Sequence, residues 1–336
     1  MAGKVWNDLS KKNALVGYFD LNLRGASQVF FQNNPLTGLI ILVAIFWGAD
    51  SAGNLNVAFG GVVGLIVSTF MAIWLDVDRT SLEQGLFGFN GILTGIAVTT
   101  FLANHPLTWA YLIVGAAVST VVTLAVANVV KTWGVPGSTA PFVFTTWLLL
   151  LGAYSFTNVS VAAMGPPALP VAASASSMPI STYRLLGILS KNISQVYLIE
   201  NIPAGLLFVI AIGINSVRSA AFAVIGSIVS LSTALVFGAN AAAIAAGVFG
   251  FSAVLTAMAV GAVFERPSFR GTLYAIFATI FTVVVQGALV TAVSPIGIPT
   301  LTFPYLLTMW VFLLPKLGMA PHPHHLPVMN GVLATK

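Results

Sequence analysis

Leu23-Arg-Gly-Ala-Ser-Gln-Val-Phe-Phe-Gln-Asn-Asn-Pro-Leu-Thr-Gly38 returns in altered form as Ser194-Gln-Val-Tyr-Leu-Ile-Glu-Asn-Ile-Pro-Ala-Gly205, with Ser27-Gln28-Val29 matching Ser194-Gln195-Val196 at an offset of 167 residues. Asn34 and Gly38 match Asn201 and Gly205, and the apolar run Leu39–Ile45 matches Leu206–Ile212. Gly64 and Ser68 return as Gly226 and Ser230 at offset 162, followed by Phe87-Gly88-Phe89 as Phe249-Gly250-Phe251 and Leu93-Thr94 as Leu255-Thr256. Pro136-Gly-Ser-Thr139-Ala-Pro141-Phe142 returns as Pro299-Thr-Leu-Thr302-Phe-Pro304-Tyr305 at offset 163. The matches keep their order, so the chain carries two copies of one module. The fall from 167 to 162 reads as a loop five residues shorter between Gly213 and Gly226.

Composition says where such a module resides. Of 336 residues, 13 are Lys or Arg and 8 are Asp or Glu, so 6% are charged against 58% hydrophobic. A soluble domain carries about 25% charged residues. With a mean hydropathy of +0.98, the chain lacks the polar groups to cover a water-facing surface. This excludes a disordered chain, a coiled coil and a nucleic-acid binder, and predicts an integral membrane protein in lipid. Cys is absent, which removes disulfides, iron–sulfur clusters and thiolate zinc sites. The four His are 105, 322, 324 and 325, and the last three, in a Pro-rich tail, read as a solvated cluster rather than a metal site.

Residues 84–130, 132–183, 219–264 and 271–315 contain no charged side chain. Roughly 20 apolar residues cross ~30 Å of hydrocarbon as a helix, so most of these runs hold two crossings. Ten segments result, at about 35–50, 55–75, 86–103, 106–130, 141–157, 203–217, 219–237, 248–264, 271–293 and 304–320. Several are short and carry Gly, Pro or Asn, as broken helices lining a cavity do. Met1–Asn22 shows no apolar centre of a cleavable signal. With both termini cytoplasmic, eleven cations fall inside and only Arg184 and Lys191 outside, as the positive-inside tendency asks. The first repeat is then 1–157, an external linker 158–190, the second repeat 191–320 and a cytoplasmic tail 321–336. Five crossings per half is an odd number, so the second half enters from the opposite face and the repeats are inverted, with a solute site near the midplane.

Polar groups inside a membrane are functional candidates. The repeated ones are Gln28 with Gln195, Thr139 with Thr302, and Asn34 with Asn201. Asn beside Pro reads as a helix cap. Carboxamide and hydroxyl oxygens accept hydrogen bonds. Phe31 follows Gln28 by three residues, which predicts one shared helix face. Leu93 follows Phe89, and Leu255 follows Phe251, by four. Pro141 and Pro304 are expected to start helices inside the membrane beside Thr139 and Thr302. Apart from Lys316 near the end of the last segment, no basic residue falls within a predicted span, so an uncharged cargo is expected. A flat slot between hydrophobic rings, edged with acceptor oxygens, suits a planar solute with N–H donors, urea or a small amide. Hydrated cations find no replacement shell there. An ammonia pore would call for a core His, a water channel for paired Asn-Pro-Ala turns, and an intramembrane enzyme for a base beside a nucleophile. The spans supply none of these.

Leu23–Gly38, Leu86-Phe-Gly-Phe-Asn90 and the two Thr-x-Pro-aromatic units together resemble the urea transporter family over nearly the whole chain. The resemblance implies an all-α integral membrane protein of ten transmembrane helices, arranged as two inverted five-helix repeats with a re-entrant pore helix in each. It further implies a homotrimer with one pore per subunit, passive movement of urea, no enzymatic activity and no cofactor. The setting would be the plasma membrane, or the inner membrane of a bacterial cell. Carried over by position, Gln28, Phe31, Phe89 and Leu93 form one end of the filter and Gln195, Phe251 and Leu255 the other. Thr139 and Thr302 narrow the middle. Leu198 stands where symmetry asks for a partner of Phe31, so one wall is expected to be aliphatic, and Glu200, in place of Asn33, is expected to add charge at one mouth.

Overall fold

In the computed structural model we describe residues 2–172 and 181–317, with a short antiparallel ladder of Val328–Met329 on Val332–Leu333. His322, His324 and His325 lie outside the described residues. The rest is mainly helical, and its helices come as two series. The first runs α1 (Ala2–Lys12), α2 (Ala14–Gln28), α3 (Pro35–Ser51), α4 (Leu55–Trp74), α5 (Arg79–Glu83), α6 (Phe89–Phe101), α7 (Pro106–Lys131) and α8 (Ala140–Ala153). The second runs α9 (Thr182–Ser194), α10 (Ile202–Asn215), α11 (Val217–Val236), α12 (Ala241–Ala245), α13 (Phe251–Met258), α14 (Phe269–Val293) and α15 (Phe303–Leu313). Helix α13 continues as a π-helical turn, Ala259–Val263.

Local chemistry sets the helix starts. Asn34 Oδ1 accepts the Leu36 and Thr37 amides at 2.9 and 3.2 Å, and Asn201 Oδ1 accepts Ala204 N–H at 2.9 Å. Both Asn are therefore N-caps ahead of a Pro in the first turn. His105 caps α7 through Nδ1, 3.2 Å from Leu107 N. Helix α2 ends where Phe31 N–H bonds Gln28 O at 2.8 Å and Gln32 N–H bonds Ser27 O at 3.1 Å. This Schellman turn puts Phe31 in the left-handed region at φ 60. Its counterpart Leu198 closes the turn after α9 at φ 58. Phe31 has thus left the helix and does not share a helical face with Gln28, contrary to the spacing argument.

A helix stands at each of the ten apolar positions, with α2 and α9 in addition. Among the described residues, α4, α7, α11 and the stretch Phe269–Ile296 are long and apolar enough to cross a membrane, and a fifth span follows if α9 and α10, bent by 74°, count as one. The others are short: α8 has 14 residues and α15 has 11, about 20 Å or less at 1.5 Å per residue. The five-residue difference between the halves is also distributed differently from expectation. Helix α10 has 14 residues against 17 in α3, and the connection behind it is Ser216 alone instead of 52–54.

Glycines let backbones meet, as in helix packing within lipid. A Cβ on Gly64 would lie 2.1 Å from Gly91 O, and one on Gly95 would lie 2.0 Å from Gly60 O, which brings α4 and α6 into backbone contact. Between the halves, Phe30 and its counterpart Tyr197 touch each other with ring centroids 5.6 Å apart, and Phe208 closes the cluster at 5.5 and 5.2 Å. Where the related contacts differ, they compensate: Asn215 donates to Gln32 Oε1 at 2.8 Å on one side. On the other side the counterpart Ile199 fills the space over Gly48.

Candidate functional site

Two short turns, one from each half, meet at the centre. Ser138 and Leu301 are left-handed at φ 46 and 49. Thr139 and Thr302 follow at φ −84, ψ 10 and φ −88, ψ 14, and start α8 and α15 with Pro141 and Pro304 in the first turn. Each turn is gripped by the opposite half: Trp147 Nε1 donates to Pro299 O at 2.8 Å, and Trp310 Nε1 donates to Pro136 O at 2.9 Å. The clamp brings the hydroxyls of Thr139 and Thr302 to 2.8 Å, with both residues 2% exposed. One hydroxyl must donate to the other. The pair therefore keeps one O–H and free lone pairs to offer a third molecule.

Gln28 and Gln195 occupy equivalent places at the ends of α2 and α9. Gln28 Nε2 donates to Gln84 O at 2.8 Å and Gln195 Nε2 to Ala246 O at 2.9 Å, again at equivalent positions. Anchoring the NH2 fixes the amide plane, and no donor among the described residues engages either Oε1. Phe31 meets Phe264 and Tyr305 edge-on, each at 6.2 Å, and Tyr305 OH lies 2.7 Å from Ser138 Oγ. Phe31 is thereby tied to both central turns. Gln28, Phe31, Phe89, Gln195 and Leu198 are half-buried, whereas Leu93, Leu255 and Phe251 are buried with Thr139 and Thr302.

The charged side chains beside the two Gln turns are partnered. Arg24, one turn before Gln28, pairs with Asp20 at 2.6 Å and donates to Asn33 Oδ1 at 2.7 Å. Trp6 Nε1 donates to the other Asp20 oxygen at 2.5 Å. At the equivalent place Lys191 pairs with Glu200 at 2.7 Å. Glu200 is therefore neutralised across its own turn and does not stand as a free charge at the mouth. Beside Gln84, Arg24 and Asn33 opens a cavity of about 1080 Å³, whose wall also includes Tyr18, Asp76 and Arg79. Among the described residues no three His, Asp or Glu side chains converge as metal ligands.

Several contributors escaped the sequence reading. Trp147 and Trp310 recur at offset 163 and could have been found that way. Asn90, within the quoted Leu86–Asn90 stretch, reaches Ser138 O at 3.4 Å and accepts Phe142 N–H at 3.1 Å. It fixes the first central turn from behind.

Apolar helices too short to cross alone, packed around an uncharged buried centre, define a membrane protein of the solute-transport class. Residues 19–317 match the family described as Urea transporter, and the chain belongs to that family, a family of transporters rather than enzymes. It is similar to Urea transporter 1 of Ovis aries, 29% identical over 311 residues, covering 92% of this chain and 79% of that protein. Urea transporter 1 of Rattus norvegicus is 28% identical over 313 residues with the same coverage.

Proposed function

We propose that this protein is a passive, channel-type conductor of urea and close small amides. It does so as a homotrimer with one pore per subunit, in the plasma membrane or a bacterial inner membrane. In this reading the chain crosses the bilayer ten times, with both termini cytoplasmic. The halves are inverted, the re-entrant elements being α8 and α15 with the turns ahead of them. Lipid surrounds the long exposed faces of α7 and α14.

Solute N–H groups would meet Gln28 Oε1 at one end and Gln195 Oε1 at the other. The carbonyl oxygen would take the spare O–H of the Thr139–Thr302 pair. Phe31, Phe89 and Leu93 on one side, and Leu198, Phe251 and Leu255 on the other, would keep the passage thin and dry, so that a hydrated ion cannot shed its shell. No bond is made or broken and no driving ion is required. The solute moves down its gradient.

The observation that carries the reading is the uncharged, hydrogen-bonding centre at Thr139 and Thr302 within a chain of this family. The test is urea flux into proteoliposomes followed by light scattering, with thiourea and N-methylureas as competitors. Vesicles holding the protein should re-swell in urea faster than empty ones, with no dependence on a proton or sodium gradient. Equal rates, or a gradient requirement, would sink the proposal.

A further inference from the structure

The two central turns are alike in backbone and differ in what holds them from behind. In the first half the Asn90 carboxamide accepts Phe142 N–H at 3.1 Å and donates to Ser138 O and Thr123 Oγ1, each at 3.4 Å. The counterparts of Asn90, Thr123, Ser138 and Phe142 are Ser252, Gln286, Leu301 and Tyr305. Ser252 is shorter than Asn by a carboxamide, and its Oγ has no partner although the residue is 1% exposed. Gln286, also 1% exposed, donates through Nε2 to Thr300 Oγ1 at 3.1 Å, while its Oε1 has no partner. Among the described residues, Tyr305 N–H meets no acceptor in place of the one Asn90 gives Phe142. Leu301 O is met, among the described residues, by Thr300 Oγ1 alone, at 3.5 Å.

Thr282 Oγ1 donates to Thr256 Oγ1 at 2.9 Å, which sets α13 against α14 in register. Ser252 lies one turn before Thr256 and Gln286 one turn beyond Thr282, so the pairing of their counterparts Asn90 and Thr123 in the first half places Ser252 toward Gln286. The shared turn geometry brings Leu301 O and Tyr305 N–H to the same point, as it brings Ser138 O and Phe142 N–H to Asn90. Two donors and two acceptors thus converge where a carboxamide stands in the other half.

We propose that these groups bind one water molecule that takes the place of the Asn90 side chain. The water accepts from Ser252 Oγ–H and Tyr305 N–H and donates to Gln286 Oε1 and Leu301 O. That meets the two to four bonds of a buried water. One central turn is then held by a side chain and the other by a solvent molecule.

The test is a map of the full-length protein in lipid nanodiscs at a resolution that shows ordered waters, taken with Ser252→Asn and Ser252→Val. The parent should show a density peak within hydrogen-bond distance of Ser252 Oγ and Gln286 Oε1. Ser252→Asn should lose the peak, place its amide there and melt no lower than the parent. Ser252→Val should melt below it, because Gln286 Oε1 and Leu301 O lose their donor. A parent map without the peak overturns the proposal, as does a Ser252→Val protein that melts with the parent.

Discussion

The hydroxyl oxygens of Thr139 and Thr302 lie 2.8 Å apart across 163 residues of chain. They hold equivalent places in the two sequence repeats. Trp147 and Trp310 enforce the approach from opposite sides.

Such a pair should behave as a unit. Thr139→Val or Thr302→Val leaves one buried hydroxyl without its partner, at a cost on the order of 1–3 kcal/mol. Urea flux should fall roughly tenfold in either single variant. The double variant should lose less than the sum of the two, because it strands neither partner. Flux and melting measured on the full cycle check this; additive losses would mean that the hydroxyls act separately.

Leu198 at φ 58 sits where backbone sterics favour glycine. Leu198→Gly should be more stable than Leu198→Ala by about 1 kcal/mol, since Ala keeps the left-handed penalty. Thermal melting in detergent compares them directly. The same comparison at Phe31, φ 60, should give the same sign, with loss of the Phe264 and Tyr305 contacts common to both variants.

Gly38 and Gly205 mark the closest backbone approaches at the repeated turns. A Cβ would lie 1.8 Å from Leu23 O at Gly38 and 2.1 Å from Ser190 O at Gly205. Backbone cannot yield as a flexible side chain does, so Gly38→Ala and Gly205→Ala should each cost about 3 kcal/mol or more. Neither should give a monodisperse peak on size exclusion. Gly165→Ala, which meets nothing within 4 Å, is the control expected to run like the parent.

Asp78 caps α5 through Oδ2, 2.8 Å from Ser81 N, and the Ser81 hydrogen bonds hold its carboxyl below the usual range. A depressed pKa in the folded state stabilises the cap above the unfolded value, and that contribution is lost as pH falls through the folded one. Hydrogen-exchange protection around α5, corrected for intrinsic rates, should therefore hold to about pH 4 and fall only below it. Asp78→Asn should remove the pH dependence and keep the cap.

Much of this architecture is written in local pattern. Apolar run lengths located the ten helices. Asn before Pro marked the caps at Asn34 and Asn201, and the repeat itself singled out Gln28, Gln195, Thr139 and Thr302. Spacing misjudged Phe31, because a turn closed by Gln32 N–H on Ser27 O overrides the helical period three residues beyond the last helical amide. It also left Glu200 free, since a sequence separation of nine does not say that the chain doubles back to put Lys191 Nζ at 2.7 Å.

The sequence by itself determined membrane residence, the helical class and the internal sequence repeat, because these follow from composition and from which residue follows which. Only the tertiary structure decided that equivalent residues touch, Phe30 on Tyr197 and Thr139 on Thr302. It also decided that Gln32 faces Asn215 where Ile199 faces Gly48. Contacts across more than a hundred residues depend on how two surfaces pack, and packing depends on volume and hydrogen-bond direction in space, which no spacing along the chain encodes.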